Sequence, residues 1–298
     1  MSEKMALLCF DDEQEFGTRL AQAGGLELMQ VRRHRFPDGE INLRLPVALP
    51  KQVAILRTLN DPNEKLLELM LTARAARERG VRQLALVAPY LAYMRQDAEF
   101  NPGEVVSQRI VGGFLADLFD AVITVDPHLH RISNLQQAIN VPQAIVLSAA
   151  PALSDLVAQR RQRPLLIGPD EESAQWVAKA AARHGLEHAV CKKLRHGDRA
   201  VEIALPDVAV AGRQVVLMDD VASTGHTLAG ATRLLRGAGA ASVDVAVTHA
   251  LFVGDGLQQI MAAGVGEVWS TDCVKHPSNA ISVAGPIAQA LAQLAPPQ

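Results

Sequence analysis

The chain lacks the features that mark secreted, disulfide-rich and membrane-spanning proteins. Its three cysteines, Cys9, Cys191 and Cys273, are odd in number and widely spaced, with no C-x-x-C pair, so neither a disulfide framework nor a zinc site is indicated. No apolar run approaches the roughly 18 residues of a membrane span, and the apolar stretch near the N-terminus is too short for a signal sequence. We therefore predict a reduced, cytoplasmic protein.

A strong excess of charge of either sign is also absent. The net charge is −3 over 298 residues, which gives no electrostatic case for a nucleic acid or an anionic membrane as partner. The Gly-x-x-x-x-Gly-Lys loop of P-loop nucleotide-binding proteins does not occur. The composition is that of an ordinary globular protein, 49% hydrophobic and 20% charged, and the length predicts one large or two ordinary domains.

The most informative stretch runs from residue 213 to residue 236. The apolar run 215–218 is bounded by charge, as in a buried strand of a parallel sheet, and apolar residues return at helical spacing from Leu228. This pattern predicts a strand, a loop and a helix. The functional candidates between the strand and the helix are acidic, hydroxyl-bearing or conformationally free residues: Asp219, Asp220, Ser223, Thr224, Gly225, His226 and Thr227.

A turn of this composition at a helix N-terminus predicts a phosphate site. Backbone N–H groups and three hydroxyls can converge there on one anion, at the positive end of the helix dipole. The preceding carboxylates would repel phosphate, but they suit sugar hydroxyls or a divalent cation. The segment therefore indicates a phosphorylated sugar as ligand. The plainer alternative is that the acids and hydroxyls only cap the helix.

The rest of the chain alternates short apolar runs with helical patterns, which predicts an α/β fold of mostly parallel sheets flanked by helices. A Pro-Gly turn at 102–103 precedes one predicted helix at 104–118, and the last predicted helix begins at Ala284. The alternation pauses around residues 140–151. We place a domain boundary there and predict an N-terminal domain at 1–148 and a C-terminal domain at 149–298.

Further polar segments follow predicted strands, at the edge where open parallel sheets bind ligands. Pro-Asp-Gly within 36–40 predicts a hairpin turn and by itself nothing more. Arg95, Gln96 and Asp97 leave a buried strand, although a solvated Arg/Asp pair is an equal alternative. Of the two histidines in DPHLH, one normally faces a given site, and we favour His128.

Two segments of the second half could also carry chemistry. Asp170 follows a predicted strand, where it is a helix cap by default and a metal or sugar ligand if it faces a cleft. The run at 192–198 places lysine, arginine and glycine on a predicted loop between two strands. Such a loop can close over a polyphosphate and bring positive charge to the transition state, and the alternative is solvated surface.

Together these segments resemble the ribose-phosphate diphosphokinases, also called phosphoribosyl diphosphate (PRPP) synthetases. Each segment alone is weak evidence, but all six occur in the right order, and the resemblance spans nearly the whole chain. The segments are FPDGE at 36–40, MRQD at 94–97, VDPHLH at 125–130, GPDEES at 168–173, KKLR at 192–195 and MDDVASTGHT at 218–227.

The resemblance implies two tandem type I phosphoribosyltransferase-like domains, ATP on the N-terminal side and ribose 5-phosphate on the C-terminal side. It implies a Mg²⁺-dependent enzyme that transfers the β,γ-diphosphoryl group of ATP to the anomeric hydroxyl of ribose 5-phosphate. The products would be PRPP and AMP, without a covalent intermediate. A homo-oligomer built from dimers, with the ATP site shared between subunits, is implied as well.

Individual roles also follow from the resemblance. For ATP binding it implies Phe36, Asp38, Gly39, Glu40, Arg95, Gln96 and Asp97. For catalysis it implies Lys193 and Arg195, and for Mg²⁺ it implies His128 and Asp170. For ribose 5-phosphate it implies Arg195, Asp219, Asp220, Ser223, Thr224, Gly225, His226 and Thr227.

The chain departs from the family pattern in two places. Ser223 stands where the common form has an acid and His226 where it has glycine, although Ser-Thr-Gly variants resemble the archaeal type. After Asp97 the chain lacks the Arg/Lys-rich segment linked to phosphate activation, which puts control by phosphate and ADP in doubt. Two other functions stay open: a phosphoribosyltransferase that consumes PRPP, and a non-catalytic regulatory homologue.

Overall fold

The computed structural model describes residues 4–129, 131–132, 134–196 and 200–294, without the side chains of 193–196 and 200–202. The strands are β1 (Ala6–Phe10), β2 (Glu27–Arg35), β3 (Ile41–Arg44), β4 (Gln52–Leu56), β5 (Gln83–Ala88), β6 (Ala121–Val125), β7 (Gln143–Leu147), β8 (Leu165–Gly168), β9 (His188–Val190), β10 (Lys192–His196), β11 (Ala200–Ala204), β12 (Gln214–Ala222), β13 (Ser242–Ala250), β14 (Val268–Thr271) and β15 (Asn279–Ile281). The helices are α1 (Gln14–Gly24), α2 (Pro62–Glu78), α3 (Ser107–Leu118), α4 (Ala150–Arg160), α5 (Ala174–Ala182), α6 (His226–Gly237), α7 (Gly256–Ala262) and α8 (Ala284–Ala292).

The chain divides into two compact units. The first unit comprises Met1–Leu147 together with Val283–Gln298, and the second comprises Ser148–Ser282. Each unit is built on its own sheet, and each sheet has its own buried apolar cluster. The predicted α/β architecture of mostly parallel sheets flanked by helices is therefore confirmed.

The first unit is organised around a seven-stranded sheet in the order β3-β2-β1-β4-β5-β6-β7. The strands are parallel except for β2 and β3, which form an antiparallel hairpin. The strands β1, β5 and β6 are buried along their whole length, which is why they read as continuous apolar runs. The prediction missed β7, because its residues are mostly half-buried and show no clear alternation.

The second unit holds a parallel six-stranded sheet in the order β15-β14-β13-β12-β8-β9, and β10 and β11 form a separate antiparallel pair. The longest strands of this sheet, β12 and β13, are adjacent to each other and have nine residues each. The chain order jumps from β8 to β12 at the centre, so the carboxyl end of β12 lies between those of β8 and β13. This is where an open parallel sheet places a ligand site.

The C-terminal helix departs from the predicted domain boundaries. The predicted second domain is 149–298, whereas α8 belongs to the first unit and packs on α1. Ile287 and Leu291 of α8 are buried, and a Cβ added at Gly24 would lie 3.4 Å from the Ala288 Cβ. An apolar helix face shows that a helix is buried but not which unit buries it. No helix within the described residues has the length and apolar character needed to cross a membrane.

Candidate active site

In the second unit the strand, loop and helix predicted around residue 220 are present. Val215–Met218 are buried, and β12 continues through both aspartates to Ala222. The loop then turns at Gly225, whose φ of 78° favours glycine, and α6 begins at His226. A Cβ at Gly225 would lie 2.5 Å from the carbonyl oxygen of Gly256, so both φ and space require glycine here.

The N-terminus of α6 has no side-chain cap from the residue before it. That residue is Gly225, which has no side chain, and Thr224 and His226 are exposed beside it. Ser223 and Thr227 are half-buried on either side. The first N–H groups of α6 and the neighbouring hydroxyls are thus available to an anion, as the sequence pattern predicts for a phosphate site.

A second loop, which the sequence did not single out, supports this one through its backbone. After β13, the N–H groups of Leu251 and Phe252 donate to Ala222 O at 3.0 Å each, and the N–H of Val253 donates to Ser223 O at 3.1 Å. A Cβ at Gly256 would lie 2.6 Å from Ser223 O. The glycine at the start of α7, in the sequence Val-Gly-Asp-Gly, is the one signal that could have revealed this contact.

The two aspartates near the end of β12 lie close to each other and to a third carboxylate, which raises the pKa of Asp219. Burial, followed by the negative charges of Asp220 and Asp170, raises the pKa of Asp219 well above its ordinary value. The backbone N–H of Asp220 donates to Asp219 Oδ1 at 3.0 Å and opposes this rise only in part. The site therefore gathers negative charge that a cation or a set of hydroxyl donors would relieve.

Asp170 caps a short turn and also faces this charge. It is 8% exposed and follows β8, and its carboxylate accepts a hydrogen bond from the Glu172 N–H at 3.1 Å. The capping alternative therefore describes one of its contacts. The influence of Asp170 on the pKa of Asp219 places the two carboxylates within electrostatic reach of each other. Asp170 adds a third carboxylate to those of Asp219 and Asp220 at this sheet edge.

The segment predicted to be a catalytic loop has regular structure. Residues 192–196 form β10, which pairs antiparallel with β11, so that Lys193 lies opposite Ile203 and Arg195 opposite Val201. An antiparallel strand pair is therefore a better description of this segment than a loop. The side chains of Lys193 and Arg195, and all of residues 197–199, lie outside the described part of the chain.

In the first unit the Pro-Asp-Gly segment forms the predicted hairpin turn between β2 and β3. The Phe36 N–H donates to Glu40 O at 2.8 Å, the Gly39 N–H donates to Phe36 O at 3.0 Å, and Gly39 has a φ of 95°. Phe36 is 40% exposed, although its ring makes an edge contact with His34 at 5.0 Å between centroids. Asp38 and Glu40 are exposed beside it, so the turn offers an aromatic face and two carboxylates.

Arg95, Gln96 and Asp97 follow β5 but point to different surroundings. Arg95 is exposed and Gln96 is half-buried. The Asp97 side chain is 1% exposed and accepts a hydrogen bond from Arg131 Nη1 at 2.5 Å. The first two residues are accessible to a ligand, whereas the carboxylate of Asp97 is turned toward Arg131.

The predicted metal ligands come from different units. His128 follows β6 in the first unit, just after Asp126, which has a φ of 37° and is 9% exposed. Asp170 belongs to the second unit. Within the part of the chain that the structure describes, no group of three His, Cys, Asp or Glu side chains could hold a metal ion. The pairing of His128 with Asp170 remains a prediction, and His130 lies outside the described residues.

The acid pair and the uncapped loop at the edge of a parallel sheet define a phosphoribosyltransferase-like unit. The family model described as "Phosphoribosyl transferase domain" matches residues 136–261, and the model described as "N-terminal domain of ribose phosphate pyrophosphokinase" matches residues 5–118. A solved structure of phosphoribosylpyrophosphate synthetase from Mycobacterium smegmatis matches with a TM-score of 0.84 at 22% identity. It covers 97% of this chain and 98% of that one, which shows the shared fold.

Named relatives narrow the assignment. A ribose-phosphate pyrophosphokinase of Methanopyrus kandleri is 37% identical over 97% of this chain and 99% of its own length. Ribose-phosphate pyrophosphokinase 2 of Archaeoglobus fulgidus is 33% identical over 91% of this chain and 94% of its own length. The chain belongs to the ribose-phosphate pyrophosphokinase family. The predicted resemblance, including its archaeal character, is confirmed.

Proposed function

We propose that this chain transfers the β,γ-diphosphoryl group of ATP to the anomeric hydroxyl of ribose 5-phosphate, giving PRPP and AMP. The observation that carries the proposal is the junction of β12 and α6, where an acid pair meets an uncapped helix N-terminus. Carboxylates and phosphate-binding N–H groups on successive residues match the two ends of a sugar phosphate. Membership of the family supplies the reaction that uses such a sugar.

Ribose 5-phosphate is assigned to the second unit. Asp219 and Asp220 accept hydrogen bonds from the ribose 2- and 3-hydroxyls, which relieves the charge that raises the pKa of Asp219. The 5-phosphate is bound by the loop Ser223–Thr227 through its N–H groups and hydroxyls. His226 stands where the common family form has glycine and adds an exposed imidazole next to this phosphate.

ATP is assigned to residues of the first unit. Phe36 stacks on the adenine ring, while Asp38 and Glu40 accept hydrogen bonds from the adenine amino group or the ribose. Arg95 contacts phosphate oxygens with its fork of N–H donors, and Gln96 adds its amide. Gly39 has a structural part in this assignment, because its positive φ closes the turn that displays Phe36.

Mg²⁺ is the proposed metal ion, with Asp170 and His128 as its protein ligands. The chemistry of the second unit fits a hard divalent cation, because Asp170 offers carboxylate oxygens next to the charge on Asp219. When bound, Mg²⁺ supplies positive charge to the phosphate oxygens while it keeps several waters. Few protein ligands are then needed, which agrees with two residues rather than a protein cage.

Lys193 and Arg195 are the proposed catalytic residues. Diphosphoryl transfer depends mostly on positioning and on stabilising charge, so cations that meet the transferring group lower the barrier without a covalent intermediate. The neighbouring residue Lys192 carries the same charge, is exposed and has no assigned role. It therefore gives the proposal its sharpest control.

The test is AMP and PRPP formation from ATP and ribose 5-phosphate, without a nucleobase, by wild type, Lys193→Ala and Lys192→Ala. We expect turnover by wild type, a kcat lower by roughly 10² to 10³ for Lys193→Ala, and less than about threefold change for Lys192→Ala. Each protein is assayed with and without inorganic phosphate, and we expect no phosphate requirement. An equal loss of kcat in both variants would mean that the overall positive charge of the segment matters and that Lys193 has no specific role.

The alternatives predict different results in the same assay. A phosphoribosyltransferase would form no AMP without a nucleobase or pyrophosphate, and it would consume PRPP. A non-catalytic homologue would bind nucleotide without turnover. Neither alternative is supported by a feature that the proposed reaction leaves unused.

Assembly and location complete the proposal. We retain a homo-oligomer built from dimers, in which a neighbouring subunit completes the ATP site, and sedimentation analysis of the purified protein tests it. We also retain a cytoplasmic location, which suits a chain whose Cys9, Cys191 and Cys273 are all buried free thiols.

A further inference from the structure

The backbone around Arg95 is fixed by a buried side chain that no motif identified. Gln108 in the first turn of α3 is 3% exposed, and its Nε2 donates to Met94 O at 3.2 Å. The backbone N–H of Gln108 donates to Gln96 O, also at 3.2 Å. Arg95 lies between these two anchored carbonyls with its own side chain exposed. The start of α3 therefore sets the path of the chain at Arg95.

Glu104 fixes the side chain of Gln96, the residue after Arg95. The Oε2 atom of Glu104 accepts hydrogen bonds from Gln96 Nε2 and from the Phe100 N–H, both at 3.0 Å. The Oε1 atom of Glu104 accepts one from Asn101 Nδ2 at 2.5 Å. These bonds, first the one from Asn101, lower the pKa of Glu104, so the carboxylate is ionised at neutral pH. One carboxylate with three donors closes the turn from Gln96 to α3.

Asp97 secures the same segment from the other side. Its side chain is 1% exposed and pairs with Arg131, whose guanidinium also lies over the Phe100 ring at 5.1 Å from the centroid. Arg131 follows β6, so this pair ties the segment after β5 to the segment after β6. Arg95 and Gln96 thus stand on a turn whose shape is set by its own side chains.

We propose that Glu104 is a positioning residue for nucleotide binding, which presets the Gln96 amide and the neighbouring Arg95 for ATP. This role rests on the proposed function, because it takes both residues as ATP ligands. A preset site avoids the cost of ordering its side chains when the ligand arrives. Loss of Glu104 should therefore weaken ATP binding and leave the chemical step unchanged.

The experiment compares Glu104→Ala and Glu104→Gln with wild type. We expect Glu104→Ala to raise both the KM for ATP and the Kd for ATP, measured calorimetrically without ribose 5-phosphate, by about tenfold or more. The kcat and the KM for ribose 5-phosphate should change by less than about threefold. Glu104→Gln keeps one oxygen for Gln96 and Phe100, and Asn101 can turn its amide toward the new N–H₂, so most of the affinity should return.

Glu99→Ala is the matched control. Glu99 belongs to the same turn and carries the same charge, but its carboxylate bonds the Gly103 N–H at 2.5 Å. We expect its ATP affinity to stay within about twofold of wild type. Unchanged ATP binding by Glu104→Ala, or an equal loss in Glu99→Ala, would overturn the proposal.

Two further results separate this proposal from the proposed function. A wild-type protein that forms no AMP and PRPP would refute the reaction, whereas an active wild type with an unaffected Glu104→Ala variant would refute only the role of Glu104. If Glu104→Ala does not fold, Asn101→Ala is used in its place. Asn101→Ala removes one hydrogen-bond donor to Glu104 and leaves the Glu104 carboxylate in place. We expect it to raise the KM for ATP by about threefold, and no change would count against the proposal.

Discussion

The two units place acids at the carboxyl edges of their sheets and treat those acids differently. In the first unit Asp12 follows β1, and Arg57, which follows β4, lies 2.8 Å from it through Nη1. In the second unit Asp219 lies in the last half of β12, and the side chains that raise its pKa are the carboxylates of Asp220 and Asp170. The first edge is neutralised by the protein itself, whereas at the second edge, among the described residues, carboxylates are the charges with the largest effect on the pKa of Asp219.

Arg57 shows how complete the neutralisation is in the first unit. It is 1% exposed, lies 3.0 Å from Glu13 and 2.5 Å from Glu68, and its guanidinium stands 4.5 Å from the centroid of the Phe10 ring. Burial alone would lower the pKa of Arg57, but Glu13, Glu68 and Asp12 outweigh it and raise that pKa. The comparison teaches that an acid pair at a strand end indicates a ligand site only when no cation of the same unit forms an ion pair with it.

The largest expected effect comes from breaking the neutral edge. Arg57→Met removes the cation that pairs with the buried Glu13 and one of the two that pair with Glu68, which keeps Arg33 at 2.6 Å. We expect it to lower the free energy of unfolding of the first unit by about 3–5 kcal/mol. Hydrogen exchange of the amides in β1 and β4 measures this loss. Arg19→Met is the control, because its pair with Glu15 is exposed and should contribute less than about 1 kcal/mol. Similar protection in both variants would mean that the buried network is not needed for stability.

The second prediction concerns the charged edge. Asp219→Asn removes a carboxylate whose neighbours repel it, so we expect unchanged or higher stability together with a kcat/KM for ribose 5-phosphate lower by about 100-fold. Asp244→Asn is the matched control in the same unit, because Asp244 is buried and bonds Arg161 at 2.7 and 2.9 Å. That variant should lose about 1–3 kcal/mol of stability and keep its kcat/KM. If Asp219→Asn instead destabilised the protein and stayed active, the acids of both sheet edges would serve stability rather than ligand binding.

The contrast between the two edges shows which features could be predicted from the sequence and which could not. The alternation of apolar runs and helices predicted the parallel sheets, because buried strands have no polar face to interrupt them. The acid pair and the Ser-Thr-Gly loop also predicted their own local structure, since a turn at a helix start depends on neighbouring residues. Arg57 could not be connected to Asp12, because that ion pair joins strands 45 residues apart along the chain.

The remaining differences have the same origin. The predicted helix at 104–118 begins at Ser107, because the Glu104 side chain is engaged in closing the turn. The supporting contact of Gly256 on Ser223 and the docking of α8 on α1 are both tertiary contacts. The sequence revealed which residues could do chemistry, but not which of them the fold would use for its own support.

The third prediction tests the proposed phosphate loop of the second unit, Ser223–Thr227. Gly225→Ala would place a Cβ 2.5 Å from Gly256 O at a φ of 78°, so the loop must shift. We expect a KM for ribose 5-phosphate higher by about tenfold, since the strain is on the order of 1–2 kcal/mol. Gly237→Ala, at the other end of α6, meets open space and should leave the KM unchanged. A wild-type KM in Gly225→Ala would exclude this loop from phosphate binding.

The smallest expected effect is the pH dependence of the second unit. The pKa of Asp219 is higher in the folded state than in the unfolded chain, so the folded state binds this proton more tightly. The second unit should therefore gain stability as pH falls through the raised pKa toward the ordinary aspartate pKa of 3.8, and this contribution is lost again as pH rises above the folded pKa.

Tryptophan fluorescence isolates this effect, because both tryptophans, Trp176 and Trp269, lie in the second unit. In urea titrations at successively lower pH, the wild type should gain stability relative to Asp219→Asn, which cannot take up the proton. If the difference in stability between wild type and Asp219→Asn stays constant with pH, a cation already neutralises Asp219 in the folded protein. The second edge would then be neutralised like the first, and the reason for placing a ligand there would be lost.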